Sequence, residues 1–142
     1  MNNVLPGAVC CVFLALSAWH FKMAFSAKSN SASSVPSVDG KPLFMPSRRA
    51  TIAVGVLLVL FAALVAATAG WLLVGLPRVV LASLSYGLAL GLLARAIGEF
   101  KYVGLFKRAR GSRFARLDTY VYSPLCLLLA VGVALVAWTH RT

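Results

Sequence analysis

Side chains able to do chemistry are scarce in this sequence, and most of them crowd into one stretch. Residues 95–124 read RAIGEFKYVGLFKRARGSRFARLDTYVYSP, with two of the three acidic residues and half of the fourteen basic ones. Arg95 and Glu99 stand four apart, the spacing at which a guanidinium and a carboxylate pair on one helix surface. Such a pair could anchor the polar end of a ligand or serve a proton transfer. The plainer reading is that Arg95 snorkels to an interface and Glu99 neutralises it. His20, near the end of an apolar run, divides the same way: an acid/base group, or more commonly a hydrogen-bonded interfacial histidine. Asp118 precedes an apolar run and suits a helix N-cap or first-turn charge. Tyr122, like Tyr102 and Tyr120, reads as an interfacial aromatic. His20, Arg95, Glu99, Asp118 and Tyr122 together form the candidate polar or ligand site, and none is assigned a catalytic role.

Lys101, Lys107, Arg108, Arg110, Arg113 and Arg116 make the same stretch strongly cationic. Topology alone explains such a cluster, since basic residues collect on the inner side of membrane proteins. The functional alternative is contact with anionic lipid headgroups, at about 1 kcal/mol per Lys or Arg near the surface. Phe100, Val103, Leu105, Phe106, Phe114 and Leu117 interleave with the charges, so the loop is expected to lie on the bilayer. Soluble anionic metabolites or the acidic face of a partner stay open as ligands. No metal or cofactor is expected, because His20 and His140 fall at opposite ends and offer no converging ligand set. No nucleophile–base motif, P-loop or dinucleotide fingerprint occurs. Cys10, Cys11 and Cys126 lie in apolar runs and read as small hydrophobes.

The elements that must position these residues are membrane spans. The chain has 142 residues, 61% of them hydrophobic, and a mean hydropathy of +0.88; a soluble domain has about 45–50% apolar residues. A net charge of +11 would suit nucleic acid, but the basic residues fall between spans and no soluble basic domain is left to dock. The reading is an all-α integral membrane protein, a single domain over residues 1–142 with four transmembrane helices in a compact bundle. The spans are about 4–25, 51–76, 78–99 and 120–139, each near the length that crosses ~30 Å of hydrocarbon. Loops 26–50 and 100–119 join the first to the second and the third to the fourth. The first run is retained rather than cleaved: Met-Asn-Asn lacks a basic side chain, and Trp19, His20 and Lys22 interrupt it before Ala24-Phe25-Ser26. Small residues form stripes at Gly55, Ala62, Ala66 and Gly70, at Gly87, Gly91, Ala94 and Gly98, and at Ala130, Ala134 and Ala137. Such stripes let helices approach closely in lipid.

Charge counting sets the orientation. Lys22, Lys28, Lys41, Arg48 and Arg49 flank or occupy the first loop, the six residues above occupy the other, and only Arg78 and Arg141 lie opposite. Both rich loops are therefore cytoplasmic and both termini are on the outer side. The first and third helices run in one direction, and the fourth begins where the third ends. His20, Arg95, Glu99, Asp118 and Tyr122 should then share one end of the bundle.

Arg95-Ala-Ile-Gly-Glu-Phe-Lys-Tyr-Val-Gly-Leu-Phe-Lys107, Phe114, and Asp118 through Tyr122-Ser-Pro-Leu-Cys126 resemble a family of small bacterial membrane proteins, domain of unknown function 3995. His20, Gly40-Lys-Pro-Leu-Phe44 and Pro46 share the likeness, which covers nearly the whole chain. Glu99 stands where the family usually has aspartate, and Lys22 where an aromatic is usual. The resemblance implies a four-helix protein of the bacterial inner membrane and supplies no activity. The preferred function is a non-enzymatic bundle that binds a lipid or small amphiphile at its cytoplasmic end, or acts as a membrane partner subunit or homo-oligomer. One alternative is a membrane-embedded enzyme on a lipid-soluble substrate, with His20 or Glu99 as acid/base and Arg95 holding an anion. A small transporter is disfavoured by the lack of a polar path, since Thr51 and Thr68 are all the second span offers.

Overall fold

Two antiparallel helix pairs make up the molecule, and local sequence punctuation sets where each helix stops. The computed structural model describes residues 3–26, 37–38, 41–42, 47–98, 103–108 and 112–141. Helix α1 is Val4–Phe25, α2 is Arg48–Thr68 and α3 is Arg78–Ile97. Residues Arg113–His140 form one continuous helix of three parts: α4 (Arg113–Leu117), a π-helical turn (Asp118–Tyr122) and α5 (Ser123–His140). Among the described residues four helices are long and apolar enough to cross a membrane: α1, α2, α3 and this composite. In the first loop β1 (Ser37–Val38) pairs antiparallel with β2 (Lys41–Pro42), Ser37 opposite Pro42 and Val38 opposite Lys41. Residues 43–46, where Leu43-Phe44-Met45 are bracketed by prolines, lie outside the described residues.

Three boundaries differ from the sequence expectation, each for a local reason. Helix α2 starts at Arg48 instead of residue 51, because the Ser47 hydroxyl accepts the Ala50 N–H at 3.1 Å and the Ser47 carbonyl takes the Thr51 N–H at 3.0 Å. That is N-capping by serine. It ends at Thr68 instead of residue 76: Gly70 takes φ +80°, Trp71 N–H donates to Ala66 O at 2.8 Å and Gly70 N–H to Ala67 O at 3.0 Å. Those two bonds make a Schellman stop with glycine in the left-handed position. Gly70 is thus a terminator, not part of a packing stripe. The last helix begins at Arg113, not residue 120, with Ser112 Oγ accepting the Ala115 N–H at 3.0 Å.

The π turn follows from Pro124. Proline has no N–H to give the carbonyl four residues back, and its ring crowds that carbonyl. The helix widens instead, and Ser123 N–H bonds to the carbonyl of Asp118, five residues earlier. The extra residue per turn lets the helix continue through a position that would otherwise break it.

Helix α1 packs along α2, and α3 along α5. Between α1 and α2, Ser17 Oγ donates to Gly55 O at 2.8 Å, and a Cβ on Gly55 would lie 3.0 Å from the Phe21 ring. The absent side chain is what admits Phe21. Phe13 and Phe61 meet edge-on at 5.8 Å between centroids, beside buried Val9, Ala62, Val65, Leu129, Val133 and Val136. The stripe on α3 does not pack within the chain: Gly87, Gly91 and Ala94 face outward, and Leu81, Ala82, Ser85, Ala89 and Ala96 are buried instead. Leu60, Val79, Leu90 and Leu128 point outward as well, at 58–70% exposure, as expected of helices apolar all round.

Polar contacts of Thr68 with Ser85 and, at 3.5 Å, with the Leu81 carbonyl tie the two pairs. Thr68 Oγ1 donates to Leu64 O at 2.9 Å, so the Ser85 hydroxyl 2.8 Å away is left to donate to Thr68. Interhelical hydrogen bonds in membranes average about 0.6 kcal/mol. Ser85→Ala should therefore lower unfolding free energy in mixed micelles by about that amount; an unchanged midpoint would mean that the bond carries no stability.

Candidate functional site

The polar centre of the molecule is Asp118, fully buried on the inward face of the π turn. Its Oδ1 accepts from Arg95 Nη2 at 2.9 Å and from Ser123 Oγ at 3.3 Å. Its Oδ2 accepts from Lys107 Nζ at 3.0 Å and from the Gly104 N–H at 2.6 Å. Lys107 is as buried as the aspartate, and its ammonium also donates to Gly104 O at 3.0 Å and Thr119 Oγ1 at 2.6 Å. A buried ion pair is tolerable only when its remaining donors and lone pairs are met. Here the ammonium has three oxygens and the carboxylate four donors.

The chain reaches this arrangement through two glycines. Helix α3 ends as Gly98, at φ +78°, donates to Ala94 O at 2.8 Å. Gly104, at φ +97°, returns the loop so closely that the two glycine Cα regions face each other. A Cβ on Gly98 would meet the Val103 carbonyl, and one on Gly104 the Ile97 carbonyl. Leu105 N–H then bonds to Ala96 O at 2.9 Å, pinning residues 103–107 beneath the end of α3. Only this close return puts Lys107 within reach of Asp118. Gly98 therefore serves the loop and not a helix–helix stripe.

Several expected site residues are brought together and others are not. Arg95 and Asp118 meet directly, but by a bond between α3 and the π turn. Arg95 Nη1 is buried with no hydrogen-bond partner among the described residues. The expected Arg95–Glu99 pairing cannot be placed, because Glu99 lies outside the described residues, as do Lys101 and Arg110. Tyr122 is half-buried, its ring 6.0 Å from that of Phe114. His20 sits on α1, where its Nδ1–H donates to Leu16 O at 2.7 Å; no bond joins it to the Arg95–Asp118 cluster among the described residues. Asp118 is not an N-cap; Ser112 does that work. Lys107, expected on the lipid-facing side of the loop, is inside. Gly104, Thr119 and Ser123 join the cluster without any signal in spacing or composition. A signal for Lys107 was present: with three acidic residues in the chain, a cation buried near Asp118 has few other places to go.

On the outward side of the same helix the chemistry reverses. Arg113, Arg116, Leu117 and Tyr120 recur at i, i+3, i+4 and i+7, so they share one face, opposite buried Phe114, Ala115 and Asp118. They line an open groove of about 300 Å³. Both arginines are exposed and Tyr120 is 79% exposed. Among the described residues no three His, Cys, Asp or Glu side chains converge as metal ligands would. Two guanidiniums beside an aliphatic and an aromatic side chain can recognise an anion with an apolar attachment.

A family model described as "Protein of unknown function (DUF3995)" matches residues 13–133 of the chain. No curated protein and no solved structure matches it.

Proposed function

Because the chain belongs to the DUF3995 family of proteins of unknown function, we propose its role from its own chemistry: a non-catalytic multi-pass membrane protein that binds an anionic amphiphile at the basic end of its bundle. The segments joining α1 to α2 and α3 to α4 then lie on the cytoplasmic side of a bacterial inner membrane and both termini outside, by the distribution of Lys and Arg.

One observation carries the reading. Among the described residues at that end, Asp118 is the sole carboxylate, and both its oxygens are consumed inside the fold. It answers two cations, so among the described residues the cluster holds one more positive charge than negative, and Arg113 and Arg116 outside it meet no described carboxylate. A charge surplus beneath the membrane surface favours anions from the lipid phase or the interface. A fully hydrogen-bonded carboxylate beside two cations is a poor general base, which makes Asp118 a structural counter-ion and weighs against acid/base chemistry there.

Native mass spectrometry of the detergent-extracted full chain tests the reading. An anionic amphiphile should stay bound, near one per chain, at energies that strip the detergent. Recovery of phospholipids only in the proportions of the surrounding membrane would overturn it.

A further inference from the structure

We propose that the outward ridge of the last helix, Arg113, Arg116, Leu117 and Tyr120, is a binding site for one anionic glycerophospholipid. Its phosphate is held between the two guanidiniums, and the start of its acyl chain lies along Leu117 and Tyr120. The site deepens the amphiphile reading above and rests on it.

The order of residues along the helix matches the order of groups in a lipid. Tyr120 and Val121, 79% and 46% exposed, lie next to α5, the part of the helix apolar enough for hydrocarbon. Arg116 lies roughly 6 Å further out and Arg113 roughly 10 Å, at 1.5 Å rise per residue. A lipid standing beside α5 presents its chain, then its phosphate, in that sequence. The groove these four residues line, about 300 Å³, open to the outside and walled mostly by carbon, has room for the glycerol and the start of an acyl chain but does not enclose a whole lipid.

Charge complementarity selects the headgroup. Each guanidinium offers five N–H donors in a planar fork that matches phosphate oxygens. Zwitterionic headgroups would bring an ammonium to the same place, and no described carboxylate can receive it: Asp118 is fully buried on the opposite face, already holding Arg95 and Lys107. The interior salt bridge thus has an outward consequence. It keeps from the ridge the one carboxylate that the described residues supply at this end. It also fixes the helix, because Asp118, Ser123 and the π turn bind one face while the arginines occupy the other.

Lipid titration of the full chain in detergent micelles, read by native mass spectrometry, tests the site with dioleoyl phosphatidylglycerol and dioleoyl phosphatidylcholine as probes. The wild-type chain should prefer the glycerol lipid at least tenfold. The double variant Arg113→Gln/Arg116→Gln should weaken that lipid by roughly 25-fold, from about 1 kcal/mol per arginine. Arg48→Gln/Arg49→Gln removes the same charge from the start of α2, and it should change binding less than twofold. Millimolar inorganic phosphate should not displace the lipid, since it lacks the chain that Leu117 and Tyr120 contact.

Wild-type affinity in the Arg113/Arg116 variant, with the lipid preference intact, would overturn the ridge while leaving the amphiphile reading standing. Equal losses in both double variants would reduce the effect to diffuse charge and overturn the site. Displacement by free phosphate would overturn the lipid as occupant. Absence of any preference in the wild-type chain would end both readings. The arginines are exposed, so loss of helix content is not expected and is checked by circular dichroism.

Discussion

Asp118→Asn is expected to cost about 3–5 kcal/mol of stability, the range for breaking a buried ion pair by removing one partner. The amide keeps the size of the carboxylate and removes its charge. Lys107, fully buried, then loses the carboxylate at 3.0 Å, and Arg95 loses the bond at 2.9 Å. Gly104 N–H and Ser123 Oγ would also have to share one amide oxygen with the two cations. The variant should unfold at much lower SDS fraction in mixed micelles, or fail to accumulate. Lys107→Met separates charge from packing. It leaves Asp118 with Arg95, a balanced pair, and should be milder than Asp118→Asn. Combining the two should recover part of the loss, because the double variant buries no unanswered ammonium. If Asp118→Asn unfolds with the wild-type chain, the salt bridge is not what holds this end together.

That ordering of severity decides between two views of the cluster. A catalytic aspartate could be changed to asparagine with activity lost and fold kept. A counter-ion cannot, since its worth is the cost of the charges left behind. The four donors around Asp118 argue for the second view, and thermal behaviour checks it without any knowledge of substrate.

The spans were legible because hydropathy and length are summed over some twenty residues, and single exceptions do not shift the sum. Val4–Phe25 matches the expected 4–25. What the sums hide are the ends, which single residues set through hydrogen bonds. Ser47 and Ser112 start helices by capping, and Gly70 stops one by its backbone conformation. Spacing on a helical wheel found the small residues but not their purpose. Gly55 admits Phe21, whereas a Cβ on Gly87 or Gly91 would meet nothing within 4 Å, and Gly70 and Gly98 terminate helices. The site was half legible for the same reason. Arg95 and Asp118 share an end of the bundle by topology, but the pairing of Arg95 with Asp118 in place of a neighbour at i+4 depends on the π turn and on the loop folding back. Neither has a periodic signature. Lys107 is eleven residues from Asp118, and only a tertiary return brings them together.

The loop's return makes glycine 98 the most consequential small residue in the chain. Gly98→Ala should destabilise by about 2–6 kcal/mol, combining roughly 1–3 for a side chain at φ +78° and ψ −174°, a backbone region open essentially only to glycine, and about 1–3 for overpacking. Here the added methyl meets the Val103 carbonyl and the Gly104 Cα, which are backbone and cannot rotate away. To make room the loop must lift. Lifting draws Gly104 N–H and Lys107 from Asp118 together, so the loss should resemble that of Asp118→Asn in kind. Gly104→Ala should behave alike from the other side, where the obstacle is the Ile97 carbonyl. Gly91→Ala, two turns earlier on the same face of α3, is the matched control. Its Cβ has nothing within 4 Å, and alanine within a helix is favoured over glycine by about 0.8–1.0 kcal/mol, so the variant should be neutral or slightly stabilised. Unfolding midpoints for the three variants in the same micelles separate the roles. Were Gly98→Ala to match Gly91→Ala, the close return of residues 103–107 under α3 would be wrong, and with it the buried position of Lys107.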